Sequence, residues 1–176
     1  MIYKFTKSAE RVIEISKEIA ITLGHSYIGT EHLLYGLVKE KNGIASKVLE
    51  KQNINDKNIL EKIEDVIGVN NFLKTYSIGF TPRLKKVIEN SFNETKKLDS
   101  DYIGTEHLLI GIIKESDSIA GRILYELGID INKLYKQLVT ILNDIEKEDF
   151  ISTTNSIKDN ISQNLKQFGT DLTRKS

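Results

Sequence analysis

An internal duplication constrains this sequence more than any other feature. Shifting the chain against itself by 75 positions, without a gap, aligns residues 5–54 with residues 80–129 at 22 identical positions. Residues 27–34 and 102–109 share the unbroken run Tyr-Ile-Gly-Thr-Glu-His-Leu-Leu. Self-similarity at a fixed period is typical of proteins built from stacked copies of one structural unit. We therefore predict two similar repeats.

Each copy carries the signals of four helices. The first helix is expected to start at Thr6 or Thr81, whose hydroxyl can cap free backbone N–H groups. A second helix should follow with Thr30 or Thr105 as its N-cap and a glutamate in its first turn, where the helix dipole favours a carboxylate. A short third helix and a fourth with an i, i+4, i+7 apolar stripe complete each copy.

The predicted fold is all-α, with two tandem pseudo-symmetric four-helix repeats, eight helices in total, and a flexible C-terminal tail. The tail is expected where the apolar pattern thins into Glu, Asp, Ser, Thr and Asn. The predicted units are a first repeat over 1–67, an inter-repeat linker over 68–79, a second repeat over 80–142, and a linker or tail over 143–176.

Composition excludes several classes of function. Lys plus Arg and Asp plus Glu both number 25, so no basic footprint indicates nucleic-acid binding. The chain has no cysteine, which removes disulfides and thiolate chemistry. No apolar run approaches the length that spans a bilayer, and no secretory leader opens the sequence. We expect a cytoplasmic protein with no membrane or nucleic-acid partner.

The Gly-Thr-Glu-His tetrad, present twice, is the candidate site. One interpretation is structural, with glycine for the turn, threonine for the cap, glutamate for the dipole and a packed histidine. In the other, Glu31 and Glu106 are rigidly held carboxylates that grip a guanidinium through charge-assisted hydrogen bonds. Both interpretations remain open from the residues alone.

The starts of the first helices carry an unusual positive charge. Lys7 and Arg83 lie near the positive ends of their helix dipoles, which is mildly unfavourable for folding but suited to a phosphate. Thr6 and Thr81 would add hydroxyl and N–H donors there. The alternative is that these cations are merely solvated. If these cations bind a phosphate, each repeat would offer a carboxylate and an anion site together.

No catalytic apparatus is recognisable. A neighbouring Glu and His diverge by roughly 100 degrees on a helix, and no third ligand stands at metal-binding spacing. The sequence has no phosphate-binding loop of an ATPase. His25 aligns with Ser100 in the other copy, which argues against a repeated catalytic histidine. We predict a non-enzymatic chain without metal or cofactor.

The repeated Phe-Thr start, the Gly-Thr-Glu-His-Leu-Leu-x-Gly-Leu/Ile core and the following Ile-Ala-x-x-x-Leu segment resemble the double Clp-N domain of ClpC, a bacterial Hsp100 AAA+ unfoldase. The resemblance covers residues 3–142, and residues 168–176 look like the approach to a first ATPase module. Many relatives have Gly-Glu-Gly before the third helix, whereas this chain departs from that pattern at 41–43 and 116–118.

This resemblance implies a stress-related chaperone function for a larger parent. Such domains dock adaptors and substrates on a hexameric motor, whose other modules use ATP and Mg, for delivery to the ClpP peptidase. ClpC-like members also bind proteins marked by phosphoarginine, and Glu31 and Glu106 correspond to the glutamates that hold the modified guanidinium. The alternative is a structural or docking domain with an apolar adaptor groove and no phosphoarginine recognition.

Overall fold

The computed structural model describes residues 3–69 and 78–144. Within these residues the predicted all-helical fold with eight helices is confirmed, with only two short strands added. Residues 70–77 of the predicted linker, and the predicted tail from residue 145 onward, lie outside the described residues. The elements are α1 (Lys7–Thr22), β1 (Tyr27–Ile28), α2 (Thr30–Lys39), α3 (Ile44–Lys51), α4 (Asp56–Val66), β2 (Gly79–Phe80), α5 (Pro82–Lys97), α6 (Thr105–Lys114), α7 (Ile119–Glu126) and α8 (131–144).

The long helices start where the sequence predicts. The hydroxyl of Thr6 accepts a hydrogen bond from the backbone N–H of Ala9 at 3.2 Å, and that of Thr81 accepts from Leu84 at 3.1 Å. Pro82 takes the first position of α5, where its missing N–H costs nothing. These local signals account for the position of both starts.

Helices α1 and α2, and likewise α5 and α6, pack closely because a glycine faces the partner backbone. A Cβ atom at Gly36 would lie 2.6 Å from the carbonyl oxygen of Val12, and one at Gly111 would lie 2.5 Å from that of Val87. Any larger residue would force these helices apart. The duplication therefore preserves a tight helix crossing in each repeat.

The two repeats exchange their leading segments. Strand β1 of the first repeat pairs in parallel with β2, which opens the second repeat. Phe5, the counterpart of Phe80, forms a parallel bridge with Ile103, the counterpart of Ile28. The backbone N–H of Thr6 donates to Ile103 O at 3.0 Å, and that of Thr81 donates to Ile28 O at 3.0 Å. The first residues of each repeat are therefore hydrogen-bonded to the other repeat.

The predicted N-cap role of Thr30 and Thr105 is wrong. The N-caps of α2 and α6 are the preceding glycines, and both threonines lie inside their helices. Their hydroxyls instead accept hydrogen bonds from the opposite repeat: Ala120 donates its backbone N–H to Thr30 at 3.1 Å, and Ala45 donates to Thr105 at 3.3 Å. Each threonine thus caps the short helix of the other repeat.

The apolar stripes meet in one core that both repeats share. The predicted fourth-helix stripes supply Ile59 and Ile63 from α4 and Leu134 and Leu138 from α8, all four essentially inaccessible to solvent. Helices α2 and α6, which are buried along nearly their whole length, contribute most to closing the core.

None of the helices in the described part of the chain combines the length and apolarity needed to cross a bilayer.

We predict that Gly36→Ala and Gly111→Ala each lower the free energy of unfolding by about 1–3 kcal/mol, because the added methyl group meets a helix backbone that cannot shift independently. The loss should appear even though alanine is the better helix former. Urea denaturation followed by circular dichroism measures it. Gly79→Ala is the control, since its Cβ meets no atom within 4 Å and stability should be unchanged. Equal stabilities of all three variants would contradict this packing role.

Candidate ligand-binding site

The two candidate carboxylates lie inside the protein. Glu31 and Glu106 occupy the first turns of α2 and α6, as predicted, but only 1% and 5% of their surfaces are exposed. A carboxylate that is buried without a cation is unfavourable, because it loses hydration that nothing replaces. Both carboxylates therefore belong to the interior and do not form exposed acidic patches.

The Glu31 side chain folds back over the turn that precedes its helix. A Cβ atom at Gly29 would lie 2.8 Å from the Glu31 carboxyl carbon, so glycine is required where the carboxylate rests. Glu31 Oε2 is buried and has no hydrogen-bond partner among the residues that the structure describes. Buried polar atoms are almost always hydrogen-bonded, so this oxygen is unusual among the described residues.

Burial also changes the proton affinity of both carboxyl groups. It raises the pKa of Glu31, against the opposing effects of its own backbone N–H and of His25. Burial raises the pKa of Glu106 to about 7, again against its own backbone N–H. Both shifts come from unrelieved desolvation, which an incoming cation would reverse. A cation brought next to either carboxylate would therefore lower its pKa again.

A chain of imidazoles supports the first tetrad. The backbone N–H of Gly29 donates to His32 Nδ1 at 2.8 Å, so the ring proton of His32 sits on Nε2 and donates to His25 Nδ1 at 2.7 Å. His25 then donates from Nε2 to the carbonyl oxygen of Gly68 at 2.8 Å. Burial, reinforced by His25, lowers the pKa of His32 to about 3, which keeps that ring neutral.

The second tetrad repeats only part of this chain. Gly104 donates its backbone N–H to His107 Nδ1 at 2.8 Å, as in the first repeat. Ser100 stands where the first repeat has His25, so the second imidazole is absent. Burial lowers the pKa of His107 to about 4, opposed by the charge of Glu94. The sequence pointed to the packed tetrad histidines but missed His25, because its counterpart is not a histidine.

The start of each long helix is hydrogen-bonded to the segment that precedes the tetrad glutamate of the opposite repeat. His25 follows α1 and contacts His32 near the start of α2, so the other end of α1 lies away from its own tetrad, by about 24 Å for a helix of this length. Thr6 instead bonds Ile103, three residues before Glu106. The expectation that each repeat supplies both groups is corrected: Thr6 accompanies Glu106, and by the equivalent contact Thr81 accompanies Glu31.

The two cations predicted at the helix starts differ in their surroundings. Lys7 is exposed at the first position of α1. Arg83 is also exposed, but its guanidinium contacts Glu115 at 2.9 Å and Asp117 at 2.7 Å. Asp117 belongs to the segment where the sequence departs from the Gly-Glu-Gly pattern. Arg83 would have to leave these carboxylates to contact a phosphate, whereas Lys7 would not.

The surroundings of the tetrads differ from those of a metal site. Across the described ranges, no three or more His, Cys, Asp or Glu side chains are grouped so that they could hold a metal ion. The tetrad histidines have Nδ1 committed to a backbone N–H. What the structure does provide, twice, is a buried glutamate three residues after the isoleucine whose carbonyl accepts from the first threonine of a long helix in the opposite repeat.

Comparison with known proteins agrees with this architecture. Residues 4–127 and 79–168 match the Clp repeat (R) N-terminal domain. The chain belongs to this family. The negative regulator of genetic competence ClpC/MecB from Bacillus subtilis is 41% identical over 156 residues, which are 89% of this chain and 19% of that protein. An ATP-dependent Clp protease ATP-binding subunit ClpA homolog from Guillardia theta is 39% identical over 176 residues, 100% of this chain and 21% of that protein.

The Clp N-terminal fold is also seen in a solved relative. The N-terminal domain of the chaperone ClpD from Arabidopsis thaliana superposes with a TM-score of 0.67 at 27% identity, covering 81% of this chain and 97% of that one. The chain spans about a fifth of the length of the curated relatives described above. It therefore corresponds to the N-terminal domain of Hsp100 proteins, as its resemblance implied.

The raised pKa of Glu106 predicts a pH-dependent stability. The folded chain holds this proton more tightly than the unfolded chain, whose value is about 4.5. The resulting stabilisation is fully present below about pH 4.5 and is lost as the pH rises through about 7. We expect the difference in unfolding free energy between wild type and Glu106→Gln to change by on the order of 2–3 kcal/mol over this range.

Urea denaturation between pH 4.5 and 8 measures this difference. The matched control is Glu64→Gln, an exposed change on α4 that leaves Glu106 intact and should keep the wild-type profile. A Glu106→Gln profile parallel to that of wild type at every pH would show that the carboxyl group is not held in the protonated form by folding.

Proposed function

We propose that this chain is the substrate- and adaptor-recognition domain of a ClpC-type protein unfoldase, and that it binds phosphoarginine-marked proteins through Glu31 and Glu106. The observation that carries the proposal is the buried Oε2 of Glu31, which has no hydrogen-bond partner within residues 3–69 and 78–144, on a residue that the duplication repeats. The family likeness supports the receptor function. The chemistry of the pocket supports the ligand.

A guanidinium suits such a pocket better than an ammonium does. Its planar fork presents several N–H donors at once, keeps its charge when buried and sheds water more readily. A carboxylate oxygen that has no other partner can accept a charge-assisted hydrogen bond from this fork. The binding energy then includes relief of the desolvation that raises the pKa of both glutamates. Selectivity for arginine derivatives over lysine follows.

The phosphoryl group would lie at the start of a long helix. In phosphoarginine it is attached directly to the guanidinium, so one ligand must meet a carboxylate and an anion site side by side. The cross-repeat arrangement brings the start of α1, with Thr6 and Lys7, to the side of Glu106. Free N–H groups and the positive end of the helix dipole favour a phosphate at such a position.

The equivalent anion site at the start of α5 would use Thr81, with Arg83 as a further donor. Arg83 enters this role only after exchanging Glu115 and Asp117 for the phosphate. Ion pairs at the surface contribute little to stability, so breaking these two contacts costs little free energy. The phosphate contacts of the two sites therefore need not have equal strength.

The remaining steps belong to the parent protein. We propose that the chain itself is non-catalytic, that ATP and Mg act in other modules, and that the parent is a cytoplasmic hexamer which passes bound clients to its motor and to the ClpP peptidase. Adaptor proteins would dock on the same domain. The names of its relatives, which include ATP-binding subunits of Clp proteases, support this assignment.

Neutral variants of equal shape test the ligand. The double change Glu31→Gln, Glu106→Gln should abolish binding of free phosphoarginine, because it removes both charges without emptying either pocket. Each charged hydrogen-bonded contact contributes about 1.5–3 kcal/mol, so a single change should weaken its site at least about tenfold. Isothermal titration at pH 8, above the pKa of Glu106, provides the measurement.

Two controls separate recognition from folding. Thermal unfolding of the double variant should be no lower than that of wild type at pH 8, since both buried charges are gone. Titration with arginine and with inorganic phosphate should give much weaker binding than phosphoarginine. If the double variant binds phosphoarginine as wild type does, the glutamates have only a structural role, and adaptor docking through an apolar groove becomes the better proposal.

A further inference from the structure

The loop between α2 and α3 contains the only Asn-Gly dipeptide of the sequence, Asn42-Gly43. Asparagine is one of the chemically labile residues of proteins, because the backbone nitrogen that follows it can attack its side-chain amide. A glycine in the next position permits this attack, since it has no side chain in the way and adopts backbone conformations that other residues avoid. The proposed function assigns no role to this loop.

The side chain of Asn42 is open to water. Helix α2 ends at Lys39 and α3 begins at Ile44, so residue 42 lies outside both helices. Lys41 turns the chain sharply with a φ of 77°, and the Asn42 side chain is exposed. An asparagine inside a helix is constrained by the regular backbone around it, and Asn42 is free of that constraint.

The carboxylate of Glu40 holds the backbone of this loop. Its Oε1 atom accepts from the backbone N–H of Asn42 at 3.1 Å and from that of Gly43 at 2.7 Å. The nitrogen of Gly43 is the atom that would attack the Asn42 amide. It must leave Glu40 and lose its proton before it can do so, and a hydrogen bond to a charged group opposes that step.

We propose that Asn42 is a site of spontaneous deamidation and that Glu40 sets its rate. The Gly43 nitrogen gives its proton to a solvent base and forms a bond to Cγ of Asn42, while the side-chain nitrogen takes up a proton and leaves as ammonia. Water then opens the resulting succinimide ring at either of its two carbonyl carbons. The products are aspartate and isoaspartate. One water is consumed, one ammonia is released, and no oxidant or reductant takes part.

Isoaspartate at residue 42 would disturb the contact between the repeats. Gly43 is buried, and a Cβ atom on it would lie 2.3 Å from the Thr105 hydroxyl oxygen, so the backbone fits closely there. The same hydroxyl accepts from the backbone N–H of Ala45 at 3.3 Å. Isoaspartate adds one carbon to the backbone just before Gly43, which moves the start of α3 away from Thr105.

The second repeat shows what the ordinary aspartate product would lack. Asp117 is the residue aligned with Asn42, and its carboxylate contacts the guanidinium of Arg83 at 2.7 Å. The residue aligned with Arg83 is Ser8, so a new carboxylate at position 42 would gain no equivalent arginine. It would also lie two residues from the negative charge of Glu40. The second loop therefore carries an aspartate with a partner, whereas deamidation would create one without that partner.

Incubation of the whole chain at pH 8, followed by peptide mapping with mass spectrometry, tests the site. Asn42 should be converted to aspartate and isoaspartate faster than any other asparagine of the chain. Glu40→Ala should accelerate the conversion about tenfold or more, because the Gly43 nitrogen loses its charged partner. Glu64→Ala, an exposed change on α4, is the matched control and should leave the rate unchanged.

The pattern of modification separates this effect from unfolding. Acceleration at Asn42 alone supports the role of Glu40, whereas acceleration at every asparagine would show that the variant is unfolded. In that case Glu40→Gln, which keeps an acceptor oxygen without the charge, replaces it and should give a rate above that of wild type. Equal or slower conversion in the folded variant would overturn the role of Glu40. A wild-type Asn42 that stays intact while other asparagines react would overturn the site.

The isoaspartate form, separated from aged wild-type chain by ion exchange, tests the consequence. It should unfold at a lower urea concentration than Asn42→Asp, which carries the added charge without the added backbone carbon. Identical unfolding midpoints would show that the contact between α3 and Thr105 tolerates the modification. These outcomes do not depend on whether the chain binds phosphoarginine.

Discussion

The exchange of leading segments between the repeats is the constraint on which the rest of the structure depends. Thr6 and Thr81 each start a long helix with their own hydroxyl while their backbone N–H groups bond the opposite repeat. Thr30 and Thr105 complete the exchange by capping the opposite short helices. A few hydrogen bonds thereby fix the register of two helical units that would otherwise slide along an apolar contact.

Placing the tetrads at this junction has a cost in free energy that the proposed function would explain. A helix start inside a protein leaves N–H groups and, here, a carboxylate away from water. The backbone groups are satisfied by His32 and His107, which accept from Gly29 and Gly104. The Glu31 carboxylate is not satisfied in the same way. A bound cationic side chain would offset the desolvation of this carboxylate, and that gain would add to the binding free energy.

Local signals made most of the fold predictable from the sequence. Threonine caps, a proline at the first helical position and apolar spacings of three and four depend on neighbours within one turn, and the helix starts at Thr6 and Thr81 follow from them. Thr30 and Thr105 carry the same cap signal, yet Gly29 and Gly104 occupy the cap position and the hydroxyls bond residues 90 and 60 positions away. Long-range contacts overrode the local preference.

The candidate site was predictable in its residues but not in its assembly. Repetition identified Glu31 and Glu106, whereas their burial depends on packing that no short motif encodes. His25 carried no repeated signal, and one of its partners, Gly68, lies 43 residues away. The pairing of Thr6 with the second tetrad likewise requires knowing that the repeats interlock. The periodicity of the sequence predicts the helices within each repeat, whereas the candidate site depends on how the two repeats pack together.

The interlocking also limits how this protein could have arisen and how it can be divided. A solitary copy would possess a carboxylate and a helix start at opposite ends of one body, and so would carry half of each proposed binding site. Two separate copies related by a twofold axis could restore both halves, but only at concentrations that support association. Joining them in one polypeptide makes that association intramolecular and independent of dilution. Fusion, rather than divergence of either copy, would then be the step that produced a dependable receptor.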